Sequence, residues 1–135
     1  MRYIIIYLLV LANIAVMVGC DKFTASNISV SDAEQKLRTQ LLLSDKLCGF
    51  DQKYAEIQGV SCTDRSCEGK KCIVMCKVTL VSTKQVGKDS MMGFCIQKYH
   101  LTDGTFWQVG RPWTTREAKF VFSKFDSGWK FEDVE

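Results

Sequence analysis

Seven cysteines in 135 residues constrain this chain more than any other feature, because their chemistry decides whether cross-links, a metal or core packing alone holds the fold. Six of them, Cys48, Cys62, Cys67, Cys72, Cys76 and Cys95, lie in the middle of the sequence, and Cys20 stands apart at the end of an apolar run. The tight group Cys62-x4-Cys67-x4-Cys72-x3-Cys76 is where a metal site must be weighed. Zinc favours paired Cys-x2–4-Cys knuckles, often with His, whereas these spacings are uneven and the only His is His100. The chain has no Cys-x-x-Cys pair for redox exchange and no Cys-x-x-Cys-His for haem attachment. An even number of cysteines in a small exported domain reads as a disulfide framework, so all six are disulfide candidates, and neither a metal nor another cofactor is expected. The sequence does not choose among their possible pairings.

That framework needs an oxidising compartment, and the first residues supply one. Met1 and Arg2 form a minimal basic region, and Tyr3 to Val18 is almost wholly apolar, broken only by Asn13. About sixteen apolar residues are short for a membrane span, which takes roughly 20, and no basic stop-transfer cluster follows them. Met1–Gly19 therefore reads as a signal peptide. The tetrapeptide Met17-Val18-Gly19-Cys20 resembles the lipobox of bacterial lipoproteins, with Met17 in place of the commoner Leu. The resemblance implies that the Cys20 thiol receives a diacylglyceryl group, that cleavage follows Gly19, and that the new amino group is acylated as well. Several chains make a stable membrane anchor, since each buried methylene contributes about 0.8 kcal/mol. Asp21 resembles the signal that keeps lipoproteins of enteric bacteria at the inner membrane, which tilts the expected location towards its periplasmic face rather than the outer membrane.

The mature chain, Cys20 to Glu135, is one domain by length. Residues 20–30 read as the lipidated cysteine and a polar tether, and 31–135 as a single α+β domain. The 18 basic side chains, Arg2 among them, nearly balance 15 acidic ones and are scattered. Nucleic-acid binding wants a clustered basic face, so no nucleic-acid partner is expected.

Ser31-Asp32-Ala33-Glu34 reads as a capping box that starts a helix. Its apolar residues Ala33, Leu37, Leu41, Leu43 and Leu47 recur at helical spacing up to a stop at Gly49. Phe50 to Val60 reads in two ways: Phe50, Tyr54 and Ile57 fit a helical turn running into a strand near Gly59, the preferred reading, and Tyr54-Ala55-Glu56-Ile57 could equally begin a strand. Thr63 to Ser66 and Glu68 to Lys70 read as loop, so that Cys62, Cys67 and Cys72 would clip a long surface excursion. Cys72 to Val81 is a strand with Cys72, Val74, Cys76, Val78 and Leu80 on one face, partnered by Met91 to Leu101. Asp103-Gly104 is a hairpin signal leading into Phe106-Trp107, Pro112 interrupts the run, and Glu117–Phe125 and Trp129–Val134 close the sheet around the turn Asp126-Ser127-Gly128.

A leading helix followed by four to five antiparallel strands predicts an α+β fold, the helix packed on a curled, disulfide-stapled sheet. With its terminal hairpin Lys124 to Asp133, this order resembles the cystatin-like and nuclear-transport-factor-two-like superfamily, a resemblance that implies a fold far more than a function. Enzymes on that roll place a carboxylate or His inside it. His100 is the sole imidazole, its neighbour Asp103 belongs to a turn, and no Gly-x-Ser-x-Gly elbow is present, so no catalytic residue is expected. Gln85-Val86-Gly87 and Pro112-Trp113 resemble the two wedge loops of cystatins, but without the Gln-x-Val-x-Gly spacing. Trp107 and Trp113 flank the Gly110-Arg111 loop; with Arg111 and Arg116 they are the candidate partner-binding residues, because Trp and Arg dominate binding hot spots.

The expected protein is a non-enzymatic, lipid-anchored envelope protein whose domain binds another envelope component. It would serve as a subunit or assembly factor of a secretion or conjugation machine, or as an exclusion or immunity lipoprotein. A carrier of a small apolar ligand, held between Leu37 and Leu41 on the helix and Phe120 and Phe122 on the sheet, is the alternative; an inhibitor of a lytic or proteolytic enzyme is a weaker one. Intact-mass analysis of protein extracted from membranes checks the processing. The expected species lacks Met1 to Gly19, carries acyl chains, and gains six alkylations only after reduction; a full-length chain with free thiols would overturn the lipobox reading.

Overall fold

The computed structural model describes residues 27–85, 91–99 and 108–135. Readings on the signal peptide, Cys20, Asp21, His100, the Asp103-Gly104 turn and Trp107 lie outside the described residues. The described chain runs α1 (Val30–Gln40), β1 (Ala55–Glu68), β2 (Lys71–Ser82), α2 (Met91–Tyr99), β3 (Pro112–Thr114), β4 (Ala118–Phe125) and β5 (Gly128–Val134). The fold is α+β, with a five-stranded antiparallel sheet.

Helix α1 starts two residues earlier than the capping box predicts. Ser29 is the N-cap: its Oγ accepts from the Asp32 amide at 3.0 Å and donates to the Asp32 carboxylate at 2.7 Å. Ile28 just before the cap and Ala33 in the first turn are both buried, the arrangement of a hydrophobic staple, and this apolar pair selects Ser29 over Ser31. Glu34, freed from capping, accepts a hydrogen bond from the Cys62 amide of β1 at 2.9 Å. The helix ends at Gln40, and turns carry the chain to Gly49, with Cys48 and Gly49 both at positive φ. Leu41, Leu42 and Leu47 are buried and Leu43 faces solvent, because the helical period no longer applies past Gln40.

β1 begins at Ala55, as the second reading of Tyr54 to Ile57 has it, and departs from the sequence reading by running on through the segment read as loop to Glu68. Thr63 to Ser66 are polar because β1 is an edge strand with most of its second half exposed, and a solvated edge strand has no apolar alternation to display. The connection to β2 is a two-residue turn, Gly69-Lys70, between the paired Glu68 and Lys71, with Gly69 at φ +58° where such turns need a positive φ.

β2 is the central strand, and Cys72, Val74, Cys76, Val78 and Leu80 form its buried face, as the alternation predicts. One side of β2 pairs along β1. The other pairs with β4 over Lys71 to Cys76 and with β3 over Thr79 to Val81. Between those stretches, buried Thr115 gives its amide to the Val78 carbonyl and takes the Val78 amide on its Oγ1, each at 2.9 Å. β3, Thr115 and β4 thus act as one interrupted strand, with Pro112 at its first residue, where no ladder amide is needed. Ala118, Phe120 and Phe122 of β4 are buried, and β5 closes the sheet as its second edge.

The segment Met91 to Tyr99 is a helix, not a strand partner for β2. Its nine residues contain one β-branched side chain, Ile96, whereas Met, Gln and Lys favour helix, so strand propensity is weak. The Tyr99 carbonyl accepts the Arg116 amide, which joins the end of α2 to the β3–β4 segment.

The cysteines pair as Cys48–Cys95, Cys62–Cys76 and Cys67–Cys72, with Cα atoms 5.1, 4.1 and 4.0 Å apart. Two of the three are therefore cross-strand staples between residues directly opposite in the β1–β2 register, not clips on a loop. The separations of 47, 14 and 5 residues rank their effect on the unfolded chain at about 4, 3 and 2 kcal/mol. Replacing each pair by Ala in turn is expected to lower stability in that order in urea titration. A Cys67–Cys72 loss that exceeds the Cys48–Cys95 loss would contradict the ranking.

Candidate functional site

Of the partner-binding candidates, the structure removes Trp113. Its ring is 4% exposed, tilted against Phe50 with centroids 5.7 Å apart, and Nε1 donates to the Ser82 Oγ at 3.2 Å. β3 places it there: Trp113 lies opposite Leu80, on the buried face of β2. A Trp on a strand of three residues still follows sheet alternation, so its neighbours Pro112 and Thr114 are exposed while Trp113 is core. The wedge suggested by Pro112-Trp113 consequently presents no tryptophan.

Arg111 and Arg116 are both exposed, but they sit on either side of the buried Trp113 and do not combine with it into a surface. Arg111 donates from Nη1 to the Gln108 Oε1 at 3.2 Å. The turn that carries it is held by the Gly110 amide on the Ser82 carbonyl at 2.9 Å, with Gly110 at φ +79°.

The features that sequence reasoning missed lie on α2. Met91 is 88% and Phe94 64% exposed, one helical turn apart, on a helix whose Cys95 is bonded to Cys48. Gly93 and Tyr99 are buried on the inward side. Read as a strand, Phe94 falls on a core face; only the helical period turns it outward beside Met91. Val109 is a third exposed apolar side chain, in the Gly110 turn held against Ser82.

The proposed ligand space between helix and sheet is occupied by protein: Leu37, Leu41, Phe120 and Phe122 are each 0% exposed and belong to one packed cluster. Surface depressions of roughly 240–340 Å³ are open and lined largely by exposed polar residues such as Asp32, Gln35 and Thr39. Among the described residues no group of His, Cys, Asp or Glu is placed to hold a metal ion, and no helix is long and apolar enough to cross a membrane. No protein-family model, no curated protein and no solved structure matches this chain.

Trp113→Ala is expected to cost about 3–5 kcal/mol, because it empties a packed position, whereas Arg111→Ala stays within about 0.5 kcal/mol. Chemical denaturation of the two variants checks the assignment, and a neutral Trp113→Ala would return that residue to the surface.

Proposed function

We propose that this chain is a lipid-anchored envelope protein whose disulfide-stapled domain binds another envelope component. The observation that carries the reading is the cysteine pairing. Six of the seven cysteines bond to one another, and the one outside the framework, Cys20, is the residue at the lipobox position. Three disulfides in a chain this small suit an oxidising compartment, and a leftover cysteine behind an apolar signal suits acylation.

Two kinds of work fit such a protein: a subunit or assembly factor of an envelope-spanning secretion or conjugation machine, or an exclusion or immunity lipoprotein. In both, the domain acts through contact. Met91 and Phe94 support this, since exposed large apolar side chains on a cross-linked helix lose little freedom when a partner covers them. A ligand carrier draws less support, because its interior is filled by Leu37, Leu41, Phe120 and Phe122.

A photoreactive amino acid placed at Phe94 in cells that produce the processed lipoprotein tests the contact surface. A discrete protein adduct is expected from position 94 and none from Lys77, which is exposed on β2. Equal adducts from both positions, or none from position 94, would overturn the α2 surface as the binding face.

A further inference from the structure

The chain enters the domain beside one end of the sheet. The carbonyl of Ile28 accepts a hydrogen bond from the Arg65 guanidinium, and Arg65 stands three residues before the end of β1 at Glu68. The Gly69-Lys70 turn follows at once. The other hairpin turn, Asp126-Ser127 between β4 and β5, lies at the same end, because the Lys124 amide donates to the Lys70 carbonyl at 2.8 Å. From Cys20 to Ile28 is a tether of eight residues, which spans at most about 28 Å. A lipid on Cys20 therefore holds these two turns close to the membrane.

The side chains there suit that position. Phe125 is 47% exposed and Trp129 is partly exposed. The Lys130 and Lys124 ammonium groups lie 5.4 and 5.9 Å from the centroids of the Phe125 and Trp129 rings. Aromatic rings paired with lysines are the residue types that settle at a bilayer interface, ring towards the acyl boundary and ammonium towards phosphate. We infer that the end of the domain carrying its two hairpin turns lies against the bilayer surface, with phospholipid headgroups as its ligand. The inference rests on the anchor at Cys20 and deepens it by giving the domain an orientation.

The attraction required is small. In segments 68–71 and 124–130, Lys70, Lys71, Lys124 and Lys130 face Glu68 and Asp126, and Lys71 is engaged by Glu135 at 3.8 Å. A lysine near an anionic surface contributes about 1 kcal/mol, so these charges alone would not recruit a free protein. A short tether holds the face at a millimolar effective concentration, and a net affinity near that value, to which burial of the Phe125 and Trp129 rings contributes, keeps it docked about half the time. The last residue of α2, Tyr99, joins the segment beside Val78 and not either hairpin turn, and Met91 and Phe94 are exposed on that helix.

The test uses the full lipoprotein purified from membranes and reconstituted into vesicles of phosphatidylethanolamine and phosphatidylglycerol, with and without brominated acyl chains. In a Trp107→Phe background, the signal lost on Trp129→Phe assigns the emission of Trp129, since the remaining Trp113 is buried in the core. Bromination is expected to quench Trp129 emission by up to about half, and Lys124→Glu with Lys130→Glu is expected to abolish the quenching. Trp129 emission that ignores bromination would overturn the docking. Intact mass decides the anchor separately. An acylated chain without quenching keeps the anchor and removes the docking, whereas an unacylated chain removes the anchor and with it the tethered docking.

Discussion

Two amides on opposite edges of the sheet depend on one helix. The Cys62 N–H of β1 finds the Glu34 carboxylate, and the Phe131 N–H of β5 finds the Gln40 amide oxygen, each at 2.9 Å. The Arg38 guanidinium adds the Gln58 carbonyl of β1. Strand edges are where sheets pair with foreign chains, and barrels remove them by closing on themselves. Here β1 and β5 stand at the two ends of the strand order and both meet α1, so the helix takes the place of the missing strand contact. An unpaired amide left half-buried costs about 1–3 kcal/mol, which makes Glu34 and Gln40 structural despite their polar character.

The rest of the domain divides along β2. Towards Lys71, two cross-strand disulfides and two tight turns fix the sheet, and the packing of Phe120 and Phe122 against Phe131 fills its interior. Towards Ser82, the β1 ladder continues to Ala55, β3 pairs over Thr79 to Val81, Thr115 joins β3 to β4, Trp113 packs against Phe50, and the Cys48–Cys95 bond ties α2 to the turns before β1. The Lys71 end carries lysines and half-exposed rings, and Met91 and Phe94 stand exposed on α2.

Sequence legibility follows burial. β2 alternates cleanly because one face packs into the core. The spans of β4 and β5 could be read as well, but their faces only in part: Val121 is buried on the side opposite Phe120 and Phe122, and Asp133 is exposed on the side read as inward. Ser29 was missed because two serines and two carboxylates offer rival caps, and only the buried Ile28 distinguishes them. The second half of β1 was missed because an edge strand with a solvated outer face looks like loop, and α2 because a short apolar run carries no period that separates strand from helix. Trp113 shows the same limit in the candidate site: its type suggests a hot spot, but three residues of β3 decide its face. The exposed pair Met91 and Phe94 becomes visible only once α2 is known to be helical.

The spacing of the disulfides also orders events in time as the chain emerges from its N-terminus. Cys62 and Cys76 are 14 residues apart and Cys67 and Cys72 only 5, so the hairpin that aligns them can form as soon as residue 76 is out, through contacts that are local and fast. Cys48 is first to appear and last to be satisfied, since Cys95 follows 47 residues later. Four competing thiols pass it in the interval. Early closure of the β1–β2 hairpin withdraws all four from exchange, so the register of that hairpin protects the correctness of a bond it does not contain.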